Sequence, residues 1–326
     1  MSMRISTQQL YNGGVSGIQR LQSSLYTLQN QIDTGRKIVT PKDDPVGSAQ
    51  ALVVSQANSV NALYLKNQAS ATTKLNGLDS ILGGVNDQLQ NIYEKAVAAG
   101  NGSYSDTDRA AVATELSERL NNLIGLANSQ DGTGRYVFAG FQSTTQPFSL
   151  SANPASTTNP SAYSLSPANA YINYNGDDGA QTLQVSASES VQTNLPGSDV
   201  FMRIRDSSGN ATGRSVFDAV QNMVEFLKTP GASASSSRYT TALGDISASI
   251  ATVSKGLSTV GARASSLESM TNTAGDRKLQ YEEQLSNLQD LDYASALTAV
   301  SQQKLQLEAA QSTFALTSKL SLFDHI

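Results

Sequence analysis

Apolar residues recur along most of this chain at alternating steps of three and four. That spacing keeps one stripe of a helix facing a partner over many turns. The longest run passes through Leu243, Ile246, Ile250, Val253, Leu257, Val260, Ala264, Leu267, Thr271, Ala274, Lys278, Tyr281, Leu285 and Leu288, and only Thr271 and Lys278 interrupt its apolar character. One helix carrying all of it would be roughly 70 Å long. It needs a partner of similar length, and residues 45–99 are the candidate. Asp44 before Pro45 predicts an N-cap with proline at the first helical position, and Leu78, Leu82, Val85, Leu89, Ile92 and Ala96 repeat the same stepping. Gly83-Gly84 lies inside this helix and is read as a place of close packing or local flexibility.

The two ends of the chain follow the same rule. A first helix is predicted from Ser6, where Ser6 and Gln9 form a capping-box pattern, to Gly35, with a stripe of Val15, Ile18, Leu21, Leu25, Leu28 and Ile32. Ser105 with Asp108 predicts the start of a third helix carrying Ala113, Leu116, Leu120, Leu123 and Ala127. A short helix is marked by Val216, Val220, Val224 and Leu227 and stopped at Thr229-Pro-Gly231. The last helix, about Ala294–Leu320, has one stripe at Val300, Leu307 and Phe314 and another at Leu305, Ala309, Leu316, Leu320 and Phe323. Two apolar faces exceed what one partner covers, which predicts burial against several neighbours.

The middle changes character. Arg135–Phe141 reads as a strand closed by glycine, and residues 143–213 are rich in Ser, Thr, Asn, Gly and Pro. Strand candidates are Tyr163–Leu165, Tyr171–Tyr174, Thr182–Val185 and Val200–Ile204, with turns at Gly176–Gly179 and Ser207–Asn210. The predicted fold is mainly α with a β-rich insert: a long antiparallel helical bundle formed by the N- and C-terminal segments, plus a small β domain that is a self-contained surface module. The domains expected are residues 1–40 with 293–326, residues 41–140 with 214–292, and the insert 141–213.

Composition narrows the function. The 326 residues contain no Cys, no Trp and one His, His325, with 15% charged residues and a net charge of −5. Without cysteine there is no disulfide, thiolate ligand or thiol nucleophile. No basic stripe suits nucleic acid, and no amphipathic stretch has the Lys/Arg-rich face that a membrane surface requires. A single terminal His builds no Ser/His/Asp constellation. Asp43-Asp44 reads as a helix cap, Asp177-Asp178 as part of a turn without calcium-loop spacing, and Gly132-Thr-Gly134 lacks the strand-before, helix-after setting of a phosphate loop. No cofactor and no catalytic or metal-binding residue is expected. Asn101-Gly-Ser103 and Asn210-Ala-Thr212 match the glycosylation pattern by spacing alone.

Three stretches carry a resemblance: Met3-Arg-Ile-Ser-Thr7 leading through the first helix to Gly35-Arg-Lys-Ile and Pro41-Lys-Asp-Asp-Pro-Val46; Asp290-Leu-Asp-Tyr-Ala294; and Leu320-Ser-Leu-Phe-Asp324. Together they resemble the flagellin and hook-associated protein family, over some 230 residues at the two ends. Pro45, Tyr136-Val-Phe-Ala-Gly140 and the Phe-Asp ending are similar to the junction type within that family more than to flagellin. The resemblance implies a structural, non-enzymatic subunit joining hook to filament. It also implies an extracellular destination reached through the flagellar type III apparatus, with no cleavable signal peptide. Implied partners are neighbouring copies in a short ring, a hook-side hook-associated protein, flagellin, and a cytoplasmic export chaperone on the C-terminal helix. The assembly interface is then expected at Leu21, Leu25, Leu28, Ile32, Val300, Leu307, Phe314, Leu320 and Phe323. The alternatives are a flagellin-type filament subunit and an intracellular coiled-coil scaffold.

Overall fold

The structure, a computed structural model, describes residues 7–150, 172–205, 214–231 and 233–323, without the side chains of Thr7, Gln8, Leu10 and residues 319–323. The expected cap at Ser6, the strand Tyr163–Leu165, the turn Ser207–Asn210, the pattern at Asn210 and His325 lie outside these residues. The elements in order are α1 (Thr7–Thr34), α2 (Pro45–Ala99), α3 (Asp106–Ala127), β1 (Phe148–Leu150), β2 (Ile172–Tyr174), β3 (Thr182–Gln184), β4 (Ser190–Gln192), a π-helical turn (Ser198–Met202), α4 (Val216–Lys228), α5 (Ser237–Gln289) and α6 (Tyr293–Phe323). Contacts group them into two compact units, Leu63–Ala274 and Met1–Ala62 with Gly275–Ile326. The division falls inside α2 and α5, so each of these helices contributes to both units.

In the unit 63–274, α5 buries every seventh residue, Ile246, Val253, Val260 and Leu267, while the intervening Leu243, Ile250, Leu257 and Ala264 are half-buried. The alternation gives a narrow seam in which one position faces the partner and the other flanks it. The partner is α2, whose Leu75, Leu78, Leu82, Val85, Leu89, Ile92 and Ala96 are buried in the same core. The two run antiparallel: the Tyr239 hydroxyl donates to the Ala96 carbonyl at 3.1 Å, and Ser254 Oγ donates to Asn86 Oδ1 at 3.3 Å. Helix α3 lies antiparallel to α2 as well, with Lys95 paired to Glu115 at 3.1 Å and Arg119 donating to Gln88 Oε1 at 3.3 Å. Its capping box forms as expected, Ser105 Oγ accepting from Asp108 N and the Asp108 carboxylate accepting from Ser105 N. Helix α4 begins with a second capping box, Ser215 with Asp218, and packs on α3, with Phe217, Val220, Met223 and Leu227 among its buried residues and Asp218, Gln221, Glu225 and Lys228 along its open face.

The insert is not a self-contained module. Among the described residues it has two sheets of two short strands each, β1 with β2 and β3 with β4, both antiparallel. Ribbons of that size cannot bury a face by themselves, so their apolar residues close on the helices. Phe148 and Phe201 from the insert stand against Phe217 of α4 at 5.3 and 5.6 Å between ring centroids, and Phe138 meets Phe201 edge-on at 5.1 Å. Polar side chains from the helices bind the insert backbone. Gln68 donates to Val185 O and Asn67 to Gln184 O, each at 2.8 Å, and Asn128 both donates to Phe148 O and accepts from Phe148 N. Burial also raises the Tyr174 phenol to about 12, and its hydroxyl stands 2.9 Å from the Asp177 carbonyl and 3.0 Å from the Phe138 carbonyl, with one proton to share between them.

Two further expectations change. Val200–Ile204 is no strand: Val200 and Phe201 lie in the π-helical turn, buried there beside Phe138 and Phe148. Arg135–Phe141 is a series of turns with one isolated bridge, Gln130 to Tyr136. Gly140 sits there at φ +66°, where a Cβ would fall 2.3 Å from the Asp177 carbonyl oxygen. The Asp177 carboxylate closes the loop by accepting from Phe141 N and Gly179 N at 2.8 Å each. It belongs to the backbone scaffold, as expected of a turn.

In the other unit, α1 packs on α6 and two turns set where these helices end and begin. Gly35, at φ +68°, terminates α1. The chain then pairs with the end of α5: Lys37 N donates to Gln289 O at 2.8 Å, Leu291 N to Gly35 O at 3.0 Å, and Lys37 Nζ to Asn287 O at 2.7 Å. Asp44 caps α2, accepting from Val46 N and Gly47 N. Asp43 folds the preceding turn, accepting from Thr40 N, Thr40 Oγ1 and Val39 N. Asp292 caps α6 through Ser295 Oγ, Ala294 N and Ser295 N. The Thr40 bonds hold Asp43, and the Ser295 and Ala294 bonds hold Asp292, below the ordinary aspartate range.

Three outcomes follow from this architecture. Leu267→Ala removes a fully buried seam residue and lowers stability by about 2–5 kcal/mol in urea unfolding, whereas Leu279→Ala, at an exposed site, changes it by no more than about 0.5 kcal/mol. Phe201→Ala costs about 3–5 kcal/mol, and replacing residues 143–212 by a short Gly/Ser loop lowers the thermal transition of the helices. A helical transition left unmoved by both changes would show that the insert does not share the bundle core. Asp43 and Asp292 have folded-state values below their unfolded ones, so their contribution is present at neutral pH and is lost as pH falls through the lowered values. Amide protection at Thr40, Ala294 and Ser295 is therefore flat from neutral pH to about pH 4 and declines below it. Asp292→Asn keeps the cap acceptor and removes that decline at α6.

Candidate assembly interface

Seven of the nine expected interface residues have described side chains, and the structure places all seven between α1 and α6. Leu21, Leu25, Leu28 and Ile32 on α1 are half-buried, as are Val300, Leu307 and Phe314 on α6. The side chains of Leu320 and Phe323 lie outside those described. The helices are antiparallel. Near the end of α1 the Tyr293 hydroxyl donates to Ile32 O at 3.4 Å, and near its beginning Tyr11 tilts against Phe314 at 5.1 Å. Phe314 lies directly over Gly14, where a Cβ would come within 2.5 Å of the ring. The α6 side of the seam is Ala296, Val300, Gln303, Leu307, Ala310 and Phe314, all withdrawn from solvent, with Ala299 half-buried beside them. These seven residues thus form an intrachain seam, and their half-burial leaves its flanks open.

The second stripe is different. Leu305 is 68% exposed and Leu316 65%, with Ala309 exposed between them. At 3.6 residues per turn these three fall on the face about opposite the seam. Among the described residues this face lies away from α1, the helix that packs on α6. Leu297, 55% exposed, adds to the free surface. It fits neither stripe, and spacing alone did not single it out.

A second apolar area was missed in the sequence. Only the later half of α2 had been marked by its leucines, yet the first turns expose Val46, Leu52 and Val53, the last two by 71% and 69%. Val53, Val54, Ala49 and Leu288 line an open groove of ≈ 580 Å³ between the start of α2 and the end of α5. The signal was present as a run of apolar residues too dense for a single stripe. Among the described residues no group of His, Cys, Asp and Glu is placed to hold a metal ion, and no helix is long and apolar enough to cross a membrane.

Comparison with known proteins bears on what such a surface serves. Residues 5–143 match the bacterial flagellin N-terminal helical region and residues 243–324 the bacterial flagellin C-terminal helical region. Flagellar hook-associated protein 3 of Salmonella typhimurium is 31% identical over 332 residues, covering 98% of this chain and 99% of that protein. Its counterpart in Escherichia coli is 31% identical over 339 residues with the same coverage. A flagellin from Serratia marcescens is 29% identical over 162 residues, only 48% of this chain and 44% of that one. The fold is shared with the flagellar junction protein FlgL of Legionella pneumophila, at a TM-score of 0.59 and 22% identity over 74% of this chain and all of that one. FlgL of Bacillus cereus, at 14% identity, gives 0.54 over 72% and 99%. Full-length similarity to the two enterobacterial proteins, against half-length similarity to flagellin, decides between the relatives: the chain belongs to the flagellar hook-associated protein 3 family.

Proposed function

We propose that this chain is a structural, non-catalytic subunit of the bacterial flagellum seated where hook meets filament. It assembles there with copies of itself into a short ring, between a hook-side hook-associated protein and flagellin. The observation that carries the reading is the apolar face of α6 at Leu305, Ala309 and Leu316, turned away from the helix that covers the other side. A subunit that worked alone would gain nothing from leaving it bare, whereas a subunit stacked among neighbours buries it. Residues 1–40 with 293–326 act as the assembly domain and residues 41–140 with 214–292 as the supporting bundle. Export through the flagellar type III apparatus, with a chaperone shielding the apolar face of α6 beforehand, completes the proposal and gives an extracellular location.

A junction subunit meets different proteins at its two ends and so does not propagate by itself. A filament subunit matches its own copy by heterologous contact and grows without limit. Deleting the gene in the parent bacterium is therefore expected to leave cells with hooks, flagellin in the medium and no filaments. Wild-type protein restores filaments; Leu305→Lys and Leu316→Lys do not. In the purified protein these exposed substitutions shift stability by no more than about 0.5 kcal/mol, which separates failed assembly from failed folding. Long filaments of the purified chain alone, seen by electron microscopy, or normal filaments on the deletion strain, would overturn the junction reading.

A further inference from the structure

The sequence contains four Asn-Gly pairs: Asn12-Gly13, Asn76-Gly77, Asn101-Gly102 and Asn175-Gly176. Such a pair is the chemical minimum for self-modification, because glycine puts no side chain in the way of its own amide nitrogen. After losing its proton, that nitrogen attacks Cγ of the asparagine. An N–Cγ bond forms, the Cγ–NH2 bond breaks and ammonia leaves, giving a cyclic imide. Water then opens either imide carbonyl to yield aspartate or isoaspartate. The only co-reactant is water, and no electrons change hands.

Composition treats the four pairs alike, and the fold does not. Gly13 and Gly77 lie within α1 and α2, where the glycine amide is bonded along the helix and the backbone cannot turn to close the ring. Asn175 is tied down: its Nδ2 donates to Ser149 Oγ at 2.9 Å, its own N–H donates to Pro147 O at 2.7 Å, and the Tyr174 ring lies against Gly176, within 2.6 Å of where a Cβ would stand. Asn101-Gly102 is exposed in the turn between α2 and α3. Asn101 Oδ1 accepts from Ser103 N at 3.2 Å, an Asx turn that folds the side chain back along its own backbone past Gly102. Nothing lies within 4 Å of a Cβ built on Gly102.

We propose that Asn101 is a site of spontaneous deamidation in the folded protein, selected from the four pairs by the open α2–α3 turn. The product places a new carboxylate on the rim of a pocket of ≈ 330 Å³ that Asn101 shares with Arg109, Phe226, Ser233 and Ser235. The isoaspartyl form also lengthens the backbone of that turn by one atom. The reaction runs one way, so the chain grows more acidic at this position as it ages.

Peptide mapping of the full-length protein, held in mildly alkaline buffer and digested at intervals, tests the proposal, with mass spectrometry and chromatography resolving the two acid forms. In the native protein conversion at Asn101 is expected to be at least about tenfold faster than at Asn12, Asn76 or Asn175, since those three must first open locally. In urea, where the fold is gone, the four rates converge. Gly102→Ala, which the open space around the site and a φ outside the left-handed region both accommodate, suppresses the reaction at Asn101 and leaves the others unchanged. Native Asn101 converting no faster than the helical pairs, or staying intact while the urea-unfolded chain converts, would overturn the proposal.

Discussion

A helix with an apolar stripe along its whole length has no stable existence until something of equal length covers that stripe, because packing and not propensity supplies most helical stability. In the unit 63–274 this need is met between segments far apart in the chain. Val253, Val260 and Leu267 of α5 close on the leucines of α2, and α3 and α4 build outward from that seam. The insert is drawn into the same arrangement. Its aromatic residues have no room to cover one another inside two-stranded ribbons, so they extend the helical core instead of starting another. Gly256 illustrates how close the layers come: a Cβ there would stand 3.7 Å from both Leu82 of α2 and Leu195 of the insert.

Helix α6 meets the same need only halfway. One face has α1, with Phe314 over Gly14, and the opposite face has Leu305 and Leu316 in solvent. Two apolar faces on opposite sides cancel any simple amphipathic signature, which is what separates a helix built for a crowd from one lying on a single core.

Features decided by neighbouring residues were legible in the sequence. The capping box at Ser105 and Asp108, the cap at Asp44 and the stop at Gly35 each depend on contacts within a few residues, and each formed. Features decided by distant partners were not. Val200–Ile204 has the composition of a strand, but a buried apolar run looks the same in a strand and in a helical turn, and the surrounding phenylalanines chose the turn. β1 and β4, three residues each, were not singled out: Phe-Ser-Leu and Ser-Val-Gln lie in a Ser-rich stretch, and each becomes a strand only by pairing with β2 or β3. The stripes on α1 and α6 announced that they would be buried without saying by what: within the chain the two helices half-cover each other, and the exposed leucines on the far side of α6 have no such cover.

A row of leucines repeated every seven residues is nearly symmetric to sliding, since a shift of one heptad, about 10 Å along the axis, brings leucine back onto leucine. The α1–α6 pair breaks that symmetry at both ends. Phe314 seats over Gly14, and the Gly35 carbonyl accepts from Leu291 N, so neither end can move without losing a contact that has no copy one heptad away. Two such marks turn a repetitive seam into a ruler. The height at which Leu305 and Leu316 stand along α6 is thereby set relative to α1 by the chain itself, before any other molecule touches it.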